Sequence, residues 1–213
     1  VRMPVEVRHM GSKYPIFSFD FTGAKRGVLP ASYDYLRLEG RMQYRLNLPP
    51  IGYSQLMLEG GKIFGKVPYL LLKLHEGNGT YFYDRYAFSC MNFYEFSSDA
   101  WISFFYEHHF HGFLLGRVPL LKKLNWREVF VFNGVYGTLS ARNDGSLPNT
   151  KAVMLFPVGM SSVEHPYLET GFGIENIFRL LRVDCIWRLT HHRAVPGLSI
   201  PTFTVNFSLN LKF

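Results

Sequence analysis

Cysteine is nearly absent from this chain. Cys90 and Cys185 lie in unrelated segments with no CxxC spacing, which excludes a disulfide framework and a thiolate zinc site. Long apolar runs are missing as well. The longest, such as Val67 to Leu72, fall far short of the roughly 18 residues that a membrane helix needs, so a bilayer has to be crossed by strands or not at all. The opening VRMPVEVRHMGSKYP has no charged region followed by an apolar one and is not expected to be a secretory leader. For an exported protein the expectation is a true N-terminus further upstream. Acid is scarce relative to base, 16 Asp and Glu against 23 Lys and Arg, and the formal charge of +7 suits an anionic partner or a solvated basic surface. No Ser-His-Asp order, nucleophile elbow, P-loop or dinucleotide fingerprint occurs, so neither an enzyme nor a cofactor is expected.

What the chain has is aromatic residues: 20 Phe and 13 Tyr, types that suit a pleated surface. Its 213 residues show no composition break, so residues 1–213 are taken as one unit. Thr202 to Phe213 alternates without interruption, with Phe203, Val205, Phe207, Leu209, Leu211 and Phe213 on one face. A period of two over that length predicts a strand. Tyr35 to Leu48 and Leu181 to Thr190 repeat the pattern, and weaker candidates are Tyr14 to Thr22, Tyr53 to Gly65, Tyr81 to Phe96, Trp101 to Gly112, Glu128 to Ser140, Lys151 to Val158 and Tyr167 to Asn176. That is about ten strands, several longer than the five or six residues usual in globular proteins and close to the roughly 9 to 11 that cross a bilayer.

Counting back from Phe213 puts the short links Pro49 to Gly52, Ser97 to Ala100 and Ile177 to Leu180 at one end. The longer links, Lys66 to Thr80, Phe113 to Trp126, Gly159 to Pro166 and His191 to Pro201, fall at the other, which is the layout of outer-membrane barrels. Ala141 to Thr150 breaks the rule, being long on the short side. Two of the long links share a motif, GKVPYLLLKL from Gly65 and GRVPLLKKL from Gly116. Each reads as an amphipathic turn at the membrane surface, with Lys122 and Lys123 near head groups, or as a loop packed over the barrel mouth.

Strand length, one-sided loops and aromatic content predict an all-β, antiparallel transmembrane barrel with its apolar face to lipid. A soluble ligand-binding β-barrel gives the same alternation with the faces exchanged. In the membrane reading Arg37, Glu39, Arg41, Gln43 and Arg45 face the lumen, as do Arg182, Asp184 and Arg188, with Glu59, Glu95, Glu169 and Glu175 as counter-charges. Such residues either form a selectivity ring or pair with one another and plug the barrel. Glu107, His109 and His111 share one strand face, but their outer pair is spread over roughly 13 Å. A hydrogen-bonded lumen network is therefore expected there, with no metal.

The stretch YLETGFGIENIFRLLRVDCIWRL followed by TFTVNFSLNLKF resembles the closing strands of the BamA-like insertase superfamily. More closely, YEHHFHGFLLGRVPLLKKLNWREVF with that ending resembles a Bacteroidota family of unknown function that joins a carboxypeptidase-regulatory-like sandwich to a C-terminal outer-membrane barrel. The resemblance implies that this chain is the C-terminal barrel region, part of a larger barrel of about sixteen strands. It also implies location in the outer membrane of a Gram-negative bacterium and a non-enzymatic role in envelope assembly or surface export and anchoring. Expected partners are outer-membrane lipid, the assembly machinery during insertion, and periplasmic or surface proteins, but no nucleic acid. The insertases' Val-Arg-Gly-aromatic motif is absent, which does not favour insertase activity. A passive channel is the alternative.

Overall fold

A computed structural model describes residues 14–26, 33–113, 115–146, 152–192 and 199–209. The strands are β1 (Ile16–Ala24), β2 (Tyr35–Leu48), β3 (Gly52–Gly65), β4 (Lys73–Leu74), β5 (Phe96–Ser98), β6 (Ala100–Phe110), β7 (Arg127–Thr138), β8 (Ser161–Ser162), β9 (Tyr167–Ile177), β10 (Leu181–Arg188) and β11 (Phe203–Leu209). One short helix, α1 (Pro119–Lys122), stands before β7.

Eight strands form one antiparallel meander in the order β1-β2-β3-β6-β7-β9-β10-β11, and β4, β5 and β8 make a small second sheet. Among the described residues β1 and β11 are not paired with each other, so the large sheet is open. β2 and β3 pair over their whole length, from Tyr35↔Gly65 to Leu48↔Gly52. The tight turn at 49–51 needs glycine at its exit. Gly52 has φ +128°, and a Cβ there would stand 1.9 Å from the carbonyl oxygen of His109 on β6.

The registers carry the alternation of β2 across the sheet. Gln43, Met57, Phe105, Asn133, Glu169 and Arg188 align on one face, as do Arg45, Gln55, Glu107, Val131, Gly171 and Ile186. From β3 to β10 this inner face is largely buried, although it carries Glu59, Glu107, His109, Glu169, Arg182, Asp184 and Arg188, whereas toward β1 it opens, with Ser18, Asp20, Arg41 and Arg45 exposed. The outer face is the reverse: Phe17, Phe19, Leu38, Phe64, Ile102, Tyr136, Phe172, Trp187, Phe203, Phe207 and Leu209 are all exposed, Phe19 by 84%. A soluble sheet buries its apolar face and wets the polar one; here the charge is buried and the phenylalanine is outside.

What covers the inner face is chain links. The link 66–99 lies on it, and its Phe88, Met91 and Phe96 join Met57, Phe105, Val135 and Tyr167 of the sheet in one apolar cluster. A second cluster sets Val67 and Leu72 against Ile63 and Trp101. The expected strand Tyr81 to Phe96 is therefore corrected. It belongs to this plug, and Ala87, Phe88, Ser89, Cys90 and Met91 are buried consecutively, which a one-faced strand does not permit. Lys151 to Val158 is corrected too, because 152–158 carries no strand, while residue 151 lies outside the described residues.

Without those two strands the ends sort anew. One end carries the links 49–51, 111–126 and 178–180; the other carries 25–34, 66–99, 139–166 and 189–202. Residues 141–146 thus belong to a link on the long side, but the link 111–126 now stands as a long one among the short, so one exception replaces the other. Ser97 to Ala100 is no turn, since it runs from β5 into β6. The segment 113–126 changes ends, so the two Gly-base-Val-Pro motifs sit at opposite ends of the sheet. In the first, Leu72 is buried in the second apolar cluster, which is the packed-loop alternative.

Candidate functional site

The inner face and the plug meet in three polar latches. In the first, Glu59 on β3 accepts hydrogen bonds from Arg41 on β2 (Nη2, 2.7 Å) and from the indole of Trp101 (3.3 Å), and it pairs with Lys73 of the plug (Nζ, 2.5 Å). Arg37 pairs beside it with Glu39 at 2.6 Å. Arg37 and Arg41 each have an acid two residues away or across the strand pair because a period of two keeps them on one face, whereas Arg45 lies over the Tyr53 ring.

The second latch centres on Glu107 of β6, which is 1% exposed. Its carboxylate accepts hydrogen bonds from the Tyr83 hydroxyl (2.6 Å) and Arg85 Nε (2.6 Å) of the plug, and from Arg182 Nη2 on β10 (2.9 Å). Arg182 also holds Asp184 in a bidentate pair, Nε to Oδ2 at 2.7 Å and Nη2 to Oδ1 at 2.8 Å. Burial and the neighbouring carboxylate of Glu107 keep the Tyr83 phenol protonated, its pKa well above the ordinary tyrosine value. Close by, His109 Nδ1 lies 3.0 Å from Glu175, and its ring stacks on Tyr53, which Arg45 covers at 4.0 Å.

The third latch grips plug backbone. Glu169 on β9 accepts the amide protons of Ser89 (2.9 Å) and Cys90 (2.6 Å) and the Tyr167 hydroxyl (2.6 Å). Arg188 on β10 donates to Glu95 (2.6 Å) and to the carbonyls of Cys90 and His191. Burial pushes the Cys90 thiol up to about 12, with Glu169 adding to it, so no reactive thiolate stands there. The plug also reaches the free edge of β11: Tyr83 donates its N–H to the Phe207 carbonyl, and the Phe207 N–H donates to Tyr81. This bridge is parallel, in a sheet whose own pairings are all antiparallel.

Every charged or amide residue assigned to the lumen by alternation lies on the inner face, from Arg37, Glu39, Arg41, Gln43 and Arg45 through Glu59, Glu107, His109, Glu169 and Glu175 to Arg182, Asp184 and Arg188. His111 is not brought to Glu107 and His109. It is exposed beyond β6 against the edge of Tyr53, while Glu107 and His109 are occupied as described. Among the described residues no group of three His, Cys, Asp or Glu is placed to hold a metal. Phe203, Val205, Phe207 and Leu209 share the outer face of β11; Leu211 and Phe213 lie outside the described residues. The sequence reading missed Lys73, Tyr83, Arg85 and the Ser89–Cys90 amides, because their partners are strands remote in sequence. The one local signal was that Tyr81 to Phe96 carries aromatics at both parities.

His75 gives the plug a pH dependence. Its Nε2 lies 2.9 Å from Ser98 Oγ, and burial first, then the charge of Lys73, lowers its pKa to about 3. The latched form holds it neutral, whereas an unlatched link takes up a proton below about 6.5. Its contribution to latching is thus full above pH ~6.5 and falls away as the pH drops toward 3. Amide exchange of residues 73–98 is expected to accelerate on acidification more in the wild type than in His75→Gln; parallel profiles would refute the effect.

No curated protein matches the chain. Residues 2–141, well over half of it, match the model of a family described as a family of unknown function (DUF5686), C-terminal domain, and the chain belongs to that family.

Proposed function

We propose that this chain is the membrane-embedded region of a non-enzymatic outer-membrane β-barrel protein of the Bacteroidota envelope, acting in envelope assembly or surface anchoring and export. The observation that carries this reading is the inverted sheet, with an outer face of exposed phenylalanine and leucine opposite an inner face of buried, paired charge. Lipid is the solvent that makes such a surface stable, since in water an exposed apolar face of this extent drives association. The free edge of β1 then requires a further strand, because unpaired backbone groups in hydrocarbon cost several kcal/mol each. A barrel of about sixteen strands, as the resemblance implies, supplies it.

Assembly or anchoring is favoured over passive conduction by the plug. Three latches and an apolar cluster hold link 66–99 on the face that would line a pore. The full-length protein that carries this chain, with its barrel complete, is expected to partition into detergent and to migrate faster unboiled than boiled. In planar bilayers it should conduct only after residues 76–95 are replaced by a short Gly-Ser linker. A chain that stays aqueous and unshifted would refute the membrane reading; conductance by the wild type would restore the channel.

A further inference from the structure

We propose that the cavity at the short-link end of the sheet binds a phosphate group, that of an anionic phospholipid head group in the facing leaflet. The lipid source rests on the membrane reading above. The cavity, about 700 Å³, lies among the end of β6, the link before β7 and the turn between β9 and β10. Its polar lining is His111, Lys122, Asn125, Arg127, Asn176 and Arg179, with no carboxylate. Among the described residues none of Lys122, Arg127 and Arg179 forms an ion pair. Glu175, opposite Arg127 in the β7–β9 register, already holds His109 at 3.0 Å. Three bases therefore line one space without an ion pair, Lys122 and Arg179 exposed and Arg127 half-buried, whereas the buried bases Lys73, Arg182 and Arg188 are all paired.

The walls are tied together rather than loosely apposed. Asn176 Nδ2 donates to the Asn125 carbonyl at 2.7 Å, joining the β9–β10 turn to the link, and Gly116 N–H donates to Gly112 at 3.0 Å. Outside this polar lining stand Phe113, Val118, Leu124, Phe178 and Leu180, all exposed, Phe178 by 84%. A basic hollow with an apolar rim is complementary to a molecule with an anionic head and an acyl tail. Guanidinium and ammonium groups donate charge-assisted hydrogen bonds to phosphate oxygens. The cavity at the opposite end makes the contrast: it is lined by Glu95 and Glu164, and its one arginine, Arg188, is committed to Glu95.

The test is lipid titration of the full-length protein that carries this chain in zwitterionic detergent, read by native mass spectrometry, with phosphatidylglycerol, phosphatidylcholine and glycerol phosphate as probes. Phosphatidylglycerol is expected to bind well above phosphatidylcholine, whose choline cancels the phosphate charge. A surface base contributes about 1 kcal/mol, so Lys122→Gln with Arg179→Gln should weaken phosphatidylglycerol roughly thirtyfold. Both residues lie outside the strands, and an unchanged heat-dependent gel shift shows that the variant folds. Competition by glycerol phosphate at equal concentration keeps the phosphate site and assigns its source to a solute. Equal phosphatidylglycerol binding by variant and wild type overturns the site. A chain that never enters detergent overturns the membrane reading instead, and glycerol phosphate titrated against the aqueous protein then judges the cavity alone.

Discussion

Glu107→Ala is expected to destabilise the folded chain by about 3–5 kcal/mol and to free the plug. The carboxylate is the shared acceptor of Tyr83, Arg85 and Arg182, two from the plug and one from β10, and it is almost fully buried. Removing it leaves Arg182, itself 3% exposed, with Asp184 as its remaining acid, and leaves Arg85 without any. The cost of breaking a buried pair lies mainly in the charge left behind, so alanine is worse than the net worth of the interaction suggests. Glu107→Gln separates the two parts. It retains volume and one acceptor oxygen, and about half the loss is expected. Denaturant unfolding in detergent reads the global effect, and limited proteolysis within 76–95 reads the plug. A loss under 1 kcal/mol with an uncut plug would mean that the latch is decorative.

The same latch shows how much of the site was legible in the sequence. Glu107 and Arg182 could be placed on one face by period alone, because alternation is a local property and β6 and β10 obey it. Strands β2, β3 and β9 were legible for the same reason. Neither Tyr83 nor Arg85 could be placed so. Tyr81 to Phe96 is rich in residues of high β-propensity, yet several of its backbone bonds go to Glu169 and Phe207, far along the chain, and Phe88 is wedged 4.8 Å from the Phe105 ring and 5.3 Å from Tyr167. Propensity describes a fit to a pleated surface, and an aromatic segment fits equally well when it is laid across such a surface. Counting back from Phe213, the false strand at 151–158 reversed the parity of the links before it, as far back as the second false strand at 81–96, which restored it. That is why 113–126 was sent to the wrong end while the links nearest each terminus were not.

Placing a charge on the outer face distinguishes lipid from water directly. Phe172 lies midway along β9, 60% exposed, against the ring of Phe130 at 5.2 Å. If that face meets water, Phe172→Arg exchanges one exposed side chain for another and shifts stability by no more than about 0.5 kcal/mol. If it meets the middle of a bilayer, the guanidinium sits where arginine costs about 2–4 kcal/mol, falling to about 0–1 near the interface. Phe178 supplies the internal control, because it is 84% exposed in the turn at the short-link end and thus belongs at the interface. Refolding into lipid vesicles is expected to show a penalty of about 2–4 kcal/mol for Phe172→Arg and less than about 1 for Phe178→Arg. Depth is the larger variable that separates the two sites, since both replace an exposed phenylalanine with the same cation and the lost Phe130 ring contact is worth only about 0.5–1.5 kcal/mol. Equal penalties would remove the bilayer from the explanation and turn the outer face into an interface with other protein.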